Sequence, residues 1–507
     1  MNSFKTKIQA FLENRKSSNA TATALIICAV MVLNVLLCYV TQAFGLFFYQ
    51  AEYTEDFSIS GMSDELFNSA KDEGKSVTLT FLMERDTLAQ HATGSFVLDT
   101  AEQFKERYGD FIKLRFVNTL TKLDEDGNRV ELEKYKTDNP EGEVILSRSA
   151  VIFESSDGNH RVLSNVRGGT GFVDFFTFDS AGSIVSFNGE TVISSMICWV
   201  LADEHKTAYV TANHAEENDA NFATLLAASG YYIKNINLQD TDVPDDAGML
   251  IISNPKYDFE RAKPGIVTEI ERLEEYVSRG GNLYISLDPY VKELNNLEDF
   301  IATHGIELQS KSTDNGDVRL MVRDPENAIT LDGYTLLVDF ASGGIADSIA
   351  ATTERYSKGE IILKDASALK LTGNATPLLV TSPSSVCTAA SEIADSAGSY
   401  VVAAHSTYTK NDGAPTANIF VVSSVYISAS DALTSNSYSN RDFTYALFEH
   451  AFGAQNLPYG ANSVTYVTDD LKNLTMGEAR LYAALLISLP IALAAVGAVI
   501  IIRRKNR

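Results

Sequence analysis

Cysteine is scarce in this chain: there are four in 507 residues, and two of them, Cys28 and Cys38, share one apolar run. Cys198 and Cys387 are far apart in sequence, so the pattern gives no disulfide framework. No C-x-x-C pair occurs, which removes a dithiol redox site and the thiolate half of a zinc finger. The only tryptophan, Trp199, adjoins Cys198 on a run with helical spacing (Val192, Met196, Trp199, Val200), and that setting reads Cys198 as a small core residue. Also missing is G-x-x-x-x-G-K-[ST], and Gly168-Gly169-Thr170-Gly171 is not set between a strand and a helix. The chain thus shows no means of hydrolysing a nucleotide. Asp124-Glu125-Asp126-Gly127-Asn128 has its glycine at the fourth position, where a calcium loop of the EF type needs it at the sixth, and so reads as a turn. No metal site and no cofactor are expected.

Positive charge is in short supply too. The formal net charge is -25, and the ends of the chain mask part of it. The first 20 residues contribute +3 and the last five +4, which leaves -32 on the rest. Such a surface repels nucleic acid and anionic headgroups, which argues against both as partners.

What is present is an alternation of strands and helices from Asn188 to Asp288. Strand-length apolar runs (Ala208 to Thr211, Ile233 to Leu238, Met249 to Ser253, Leu283 to Leu287) alternate with stretches of helical spacing, as in a parallel sheet covered by helices. Gly280-Gly281 follows the amphipathic run Ile270, Leu273, Tyr276, Val277, where a helix needs a left-handed terminus. Asn213-His214-Ala215-Glu216 falls where the first strand ends, the usual edge for a ligand in an open α/β sheet.

The series FNGETVISSM, YVTANHAE, GYYIKNINL, SNPKYDF and SRGGNLYISLD resembles the GldG-like family, auxiliary components of ABC-type transport systems first associated with gliding motility. The likeness runs over most of the chain. Where the family usually shows G-H-G-E, this chain has Asn213-His214-Ala215-Glu216. The resemblance implies a separate permease and a separate ATPase as partners, and an extracytoplasmic part that binds an unidentified ligand or partner without catalysis.

Two stretches have membrane character. Thr21 to Phe48 and Leu481 to Ile502 carry no charged residue, and each meets the roughly 20 apolar residues that span a bilayer. Lys5, Lys7, Arg15 and Lys16 precede the first, and Arg503, Arg504, Lys505 and Arg507 follow the second, so both ends are expected in the cytoplasm and the rest on the outer face. The expected organisation is a cytoplasmic end at 1–20, a span at 21–48, an outer domain at 49–200, a second outer domain at 201–456, a tether at 457–480, a span at 481–502 and a tail at 503–507.

The fold class expected is α/β. In the first outer domain VTLTFLM reads as a strand, VLDTAEQFKERYG as a helix, FIKLRFVN as a strand, and SAVIFE with RVLS as a hairpin turning on Asp157-Gly158, an order similar to thioredoxin-like domains. Glu84-Arg85-Asp86-Thr87 stands where a redox motif would be. The second domain resembles the glutamine-amidotransferase-like (flavodoxin-like) parallel sheet, with a strand-rich insertion near 309–365. TPLLVTS, SYVVAAHS and ANIFVVSSVYI are expected to complete its sheet. In such folds a cysteine on a sharp strand-to-helix turn is the nucleophile, but the turn after Met249 to Ser253 carries Asn254-Pro255-Lys256.

The candidate site residues are His214 and Glu216, with Asn254 and Asp288 at neighbouring strand ends. H-x-E can supply two metal ligands or an acid-base pair, or it can be a structural loop. The main reading is a ligand- or partner-binding subunit; the alternative is a membrane-anchored surface hydrolase or amidotransferase-like enzyme.

Overall fold

The computed structural model describes residues 58–465 apart from short gaps, the longest at 164–171 and 389–396, and a few isolated positions further on. Both expected spans, the two chain ends, most of the tether and the Gly168–Gly171 stretch lie outside the described residues, save isolated positions of 481–502. Among the described residues no helix is long and apolar enough to cross a membrane.

The first sheet has five strands in the order Leu123–Asp124, Ile112–Asn118, Val77–Phe81, Val151–Ser155, His160–Leu163. Val77–Phe81 runs parallel to Ile112–Asn118 through the helix Gly94–Tyr108 and antiparallel to Val151–Ser155, which forms a hairpin with His160–Leu163. Gly109 ends the helix with φ 61 and ψ -129, a backbone conformation open to glycine. Helix α1 (Gly189–Leu201) is buried along most of its length: Val192, Ile193, Met196 and Trp199 enter the same core as Val77, Leu79 and Phe104.

The main path of the central sheet has β1 (Lys206–Thr211), β2 (Tyr231–Ile236), β3 (Ala247–Ser253), β4 (Leu283–Ser286), β5 (Thr335–Phe340), β6 (Ile361–Lys364), β7 (Thr376–Thr381), β8 (Val401–Thr409) and β9 (Thr416–Val422), side by side in the order β6-β5-β7-β8-β9-β4-β3-β1-β2, and the pair Ile306–Leu308 with Leu369–Leu371 joins it at β8. Strands β9, β4, β3, β1 and β2 are parallel. Period-two alternation splits their side chains between two cores. Met249 and Ile251 pack on one face with α2 (Ala220–Ala228) and α5 (Asn440–Phe452), while Leu250 and Ile252 pack on the other with α3 (Glu269–Ser278). Helix α3 starts at a capping box, with Thr268 and Glu271 exchanging side-chain bonds to each other's backbone N–H. At its other end Gly280 has φ 90, and a Cβ there would lie 2.4 Å from Pro415.

Two expectations are corrected here. The sheet is mixed rather than parallel throughout, because β8, β7, β5 and β6 all join it antiparallel. The stretch 309–365 is not a separate strand-rich insertion: its β5 and β6 belong to the central sheet, and α4 (Ile345–Tyr356) lies between them. Within that stretch VRLMVR breaks at Leu320 into two strands, Gly316–Arg319 pairing with Ser310–Thr313 and Met321–Arg323 pairing with Val386–Thr388. Val464–Thr465, at the start of the expected tether, pairs with Ile184–Phe187. Asp56–Val467 forms a single compact unit.

Candidate functional site at the carboxyl edge of the central sheet

The parallel half fixes where a site can form. Chain direction goes from β1 outward to β2, then back across β1 to β3, so the turn-over of strand order lies between β1 and β3. Helices lie on opposite faces on either side of that point, the usual place for a ligand in an open α/β sheet, at the carboxyl ends of the strands. The loops that emerge are Asn213-His214-Ala215-Glu216 after β1 and Asn254-Pro255-Lys256-Tyr257 after β3.

These loops are bonded to each other. The backbone N–H groups of Lys256 and Tyr257 donate to the His214 carbonyl at 2.7 and 3.2 Å. His214 is 2 % exposed, and its ring stacks on Phe259 with centroids 3.9 Å apart. Its Nδ1 lies 3.2 Å from the Tyr257 carbonyl oxygen and its Nε2 2.8 Å from Glu269 Oε1. Both partners are acceptors, so both ring nitrogens donate and the ring is satisfied as an imidazolium. Burial pushes the imidazole pKa down, but the hydrogen bond and charge of Glu269 outweigh it, aided by Glu216 and the Tyr257 carbonyl, and the net shift is upward. In that protonated form neither nitrogen has a lone pair for a metal or a substrate proton. Glu216 Oε2 accepts the N–H of His214 at 2.8 Å, which closes the loop on itself. Among the described residues no group of three or more His, Cys, Asp or Glu is arranged to hold a metal ion.

Asn254 and Asp288 are joined by a residue that the sequence reading left out. Lys256 Nζ donates to Asn254 Oδ1 at 2.8 Å and to Asp288 Oδ2 at 3.1 Å. Tyr290, four residues past β4, donates its N–H to Asp288 Oδ1 and its hydroxyl to Asp365 Oδ1. Tyr257 stands four residues past β3, and because Ser253 and Ser286 are register partners, the two tyrosines occupy equivalent places on adjacent loops. Both are exposed, at 67 % and 63 %.

The backbone is strained in the same place. Five non-glycine residues among those described have positive φ, and four belong to this cluster: Asn213 (89°), Ala215 (52°), Asn254 (51°) and Asp365 (54°). Asn213 and Ala215 take this conformation on either side of His214. For alanine that conformation costs about 1–2 kcal/mol. Strain of this kind collects at ligand clamps and switch regions.

The sequence therefore located the edge, and the structure divides its four candidates into two groups. His214 and Glu216 are bonded into a loop clamp around the buried imidazole, while Asn254 and Asp288 are bridged by Lys256, with Tyr257 and Tyr290 exposed on the same loops. Lys256 and Tyr257 were visible in the same turn as Asn254. Glu269 carried no signal, since its partner is 55 residues away.

No family model matches the chain, and no curated protein does. Among solved structures, the chain is similar to the mmIFT52 N-terminal domain, with 16% identity, a TM-score of 0.35, and coverage of 48% of this chain and 96% of that one. It is similar to PurLQS from Thermotoga maritima at 10% identity and TM-score 0.28, over 48% of this chain and 98% of that one. A glutamine amido transferase from Methylobacillus flagellatus matches at 10% identity and TM-score 0.27, over 49% and 95%. Similarities at this level speak to neither activity nor partner.

Proposed function

We propose that this chain is a non-catalytic auxiliary subunit of an ABC-type transport system, held in the membrane by Thr21 to Phe48 and Leu481 to Ile502. Its thioredoxin-like and amidotransferase-like domains stand on the outer face, and it works with a separate permease and ATPase. The loops at the carboxyl edge of the central sheet bind the ligand or partner. One observation supports the non-catalytic part of this reading. Asn254, directly after β3, has the left-handed conformation of a sharp strand-end turn, and its side chain is a carboxamide held by Lys256. A carboxamide is no nucleophile, and His214, the imidazole of the adjoining loop, has both nitrogens engaged. A strained, aromatic-flanked edge with no nucleophile at its strand-end turn suits recognition better than turnover.

Full-length protein extracted in mild detergent is expected to co-purify with a polytopic permease, and exchange of both spans for unrelated ones is expected to weaken the association. Ala484, Ala492, Ala494, Ala495, Gly497 and Ala498 supply the small surfaces on which membrane helices pack closely. A protein that purifies alone and hydrolyses an ester or amide substrate would favour the enzyme reading instead.

The orientation has its own test. Asp126 and Lys410 are exposed, so single cysteines placed there are expected to react with a membrane-impermeant reagent in intact cells, and cysteines at 3 or 506 are not. The reverse pattern would overturn the outer-face placement.

A further inference from the structure

A cleft away from the sheet edge is lined by a buried cation whose Nε has no acceptor among the described residues. It opens between α1, α2, α5 and the short helix Ser430–Thr434, and is lined by Asn188, Thr191, Thr224, Thr434, Ser463 and Arg441. Its volume of about 30 Å³ exceeds the roughly 10–15 Å³ that one water needs. Arg441 is only 7 % exposed. Its Nη1 donates to Thr191 Oγ1 at 3.3 Å, and its Nη2 stands 3.6 Å from Asp442 Oδ2, outside hydrogen-bond range. Its Nε has no acceptor among the described residues.

The carboxylates of the neighbourhood leave Nε without an acceptor: Asp442 Oδ2 pairs with Nη2 at ion-pair distance only. Asp442 Oδ1 accepts the Gly460 N–H at 2.8 Å, and Glu190, next to Thr191 in α1, accepts the Ser60 N–H and hydroxyl with its two oxygens. The Nε–Nη2 edge of a guanidinium is the fork that receives a carboxylate through two parallel bonds. A buried guanidinium with no bidentate partner is costly; its Nε is unmatched among the described residues, and the cleft it lines carries hydroxyl and amide groups with apolar walls at Val192, Leu225 and Leu433.

We propose that this cleft binds a free small carboxylate, seated on the Nε–Nη2 edge of Arg441 with Thr and Ser hydroxyls around it. The proposal does not depend on the transport reading. It is tested on the full-length protein in detergent by saturation-transfer NMR with acetate as the probe. The expected result is a saturable acetate signal that formate competes away and chloride at equal ionic strength does not. Arg441→Lys, which keeps the charge and loses the fork, is expected to weaken acetate binding by about ten-fold or more. Thr224→Leu, which narrows the cleft and leaves the guanidinium in place, is expected to do the same in a protein whose melting temperature is unchanged. No saturable signal up to about 50 mM acetate, far above a millimolar Kd, would overturn the proposal. Equal affinity in the parent and both variants would overturn it too.

Discussion

Replacing His214 with alanine is expected to destabilise the protein by about 3–5 kcal/mol, because it removes one half of a buried ion pair and leaves Glu269, itself 1 % exposed, without its cation. The ring's stack on Phe259 and its bond to the Tyr257 carbonyl go with it, so the loops after β1 and β3 lose their link through the side chain. The loss should depend on pH. The imidazole pKa is raised in the folded chain, so the ring's contribution is complete below the ordinary value near 6.5 and is lost as pH rises through the folded value. Thermal melts of the parent and His214→Ala should therefore differ most in mildly acidic buffer and converge towards alkaline pH. The double variant His214→Ala with Glu216→Gln separates clamp from binding site. A sharply lowered melting temperature is expected, whereas loss of transport with an unchanged melting temperature would make these residues direct ligand contacts.

The parallel strands were legible because burial on both faces demands unbroken apolar runs, and the run Met249 to Ser253 is such a case. The antiparallel half was less legible, although one clue was present. Only six residues separate β8 from β9, and a parallel crossover needs about a dozen, so those two strands had to form a hairpin. Helix α4 was missed because its buried face is thin: Ala346, Ile349 and Thr353 are its buried residues, and a stripe with a single large apolar side chain gives weak periodicity. Between β5 and β6 it made the whole stretch look irregular.

At the site, the sequence shows which residues leave the strand ends but not which of them turn inward. His214 reads as an exposed loop histidine until Glu269 and Phe259, far along the chain, are brought against it. Asn254 and Asp288 fall on adjacent strands, and that adjacency was predictable once strand order was assumed. The lysine that joins them depended on side-chain direction, which spacing along a loop does not specify. Arg441 gave still less warning, since an arginine at the start of a helix in a polar stretch reads as solvated, yet it is buried.

Asp324→Ala is the second substitution with a large expected effect, and it lies outside both proposed sites. Asp324 is 1 % exposed and serves as the hub of a turn. Its Oδ1 accepts the Glu326 and Asn327 N–H groups at 3.0 and 2.9 Å and the Ser384 hydroxyl at 2.8 Å, while Oδ2 accepts the Ser382 and Ser385 hydroxyls. This carboxylate ties the segment after Met321–Arg323 to the Ser382–Ser385 turn, which leads from β7 into Val386–Thr388. Removing it strands several buried donors at once, at about 1–3 kcal/mol for each one left without an acceptor, so a total near 3–5 kcal/mol is expected after partial relaxation. Asp324→Asn should recover little, since its NH2 group would face donors. Burial raises the carboxyl pKa, but the bonds from Asn327, Ser382, Glu326 and Ser384 outweigh it and hold the group below the usual aspartate value. Its stabilisation is therefore complete above about pH 4 and is lost as pH falls through the lowered folded value. Melts of parent and Asp324→Asn should differ most near neutral pH and approach each other in acid, the opposite trend to His214→Ala. A difference that stayed constant down to strongly acidic pH would show that the turn is held by packing and the hydroxyl network rather than by the charge.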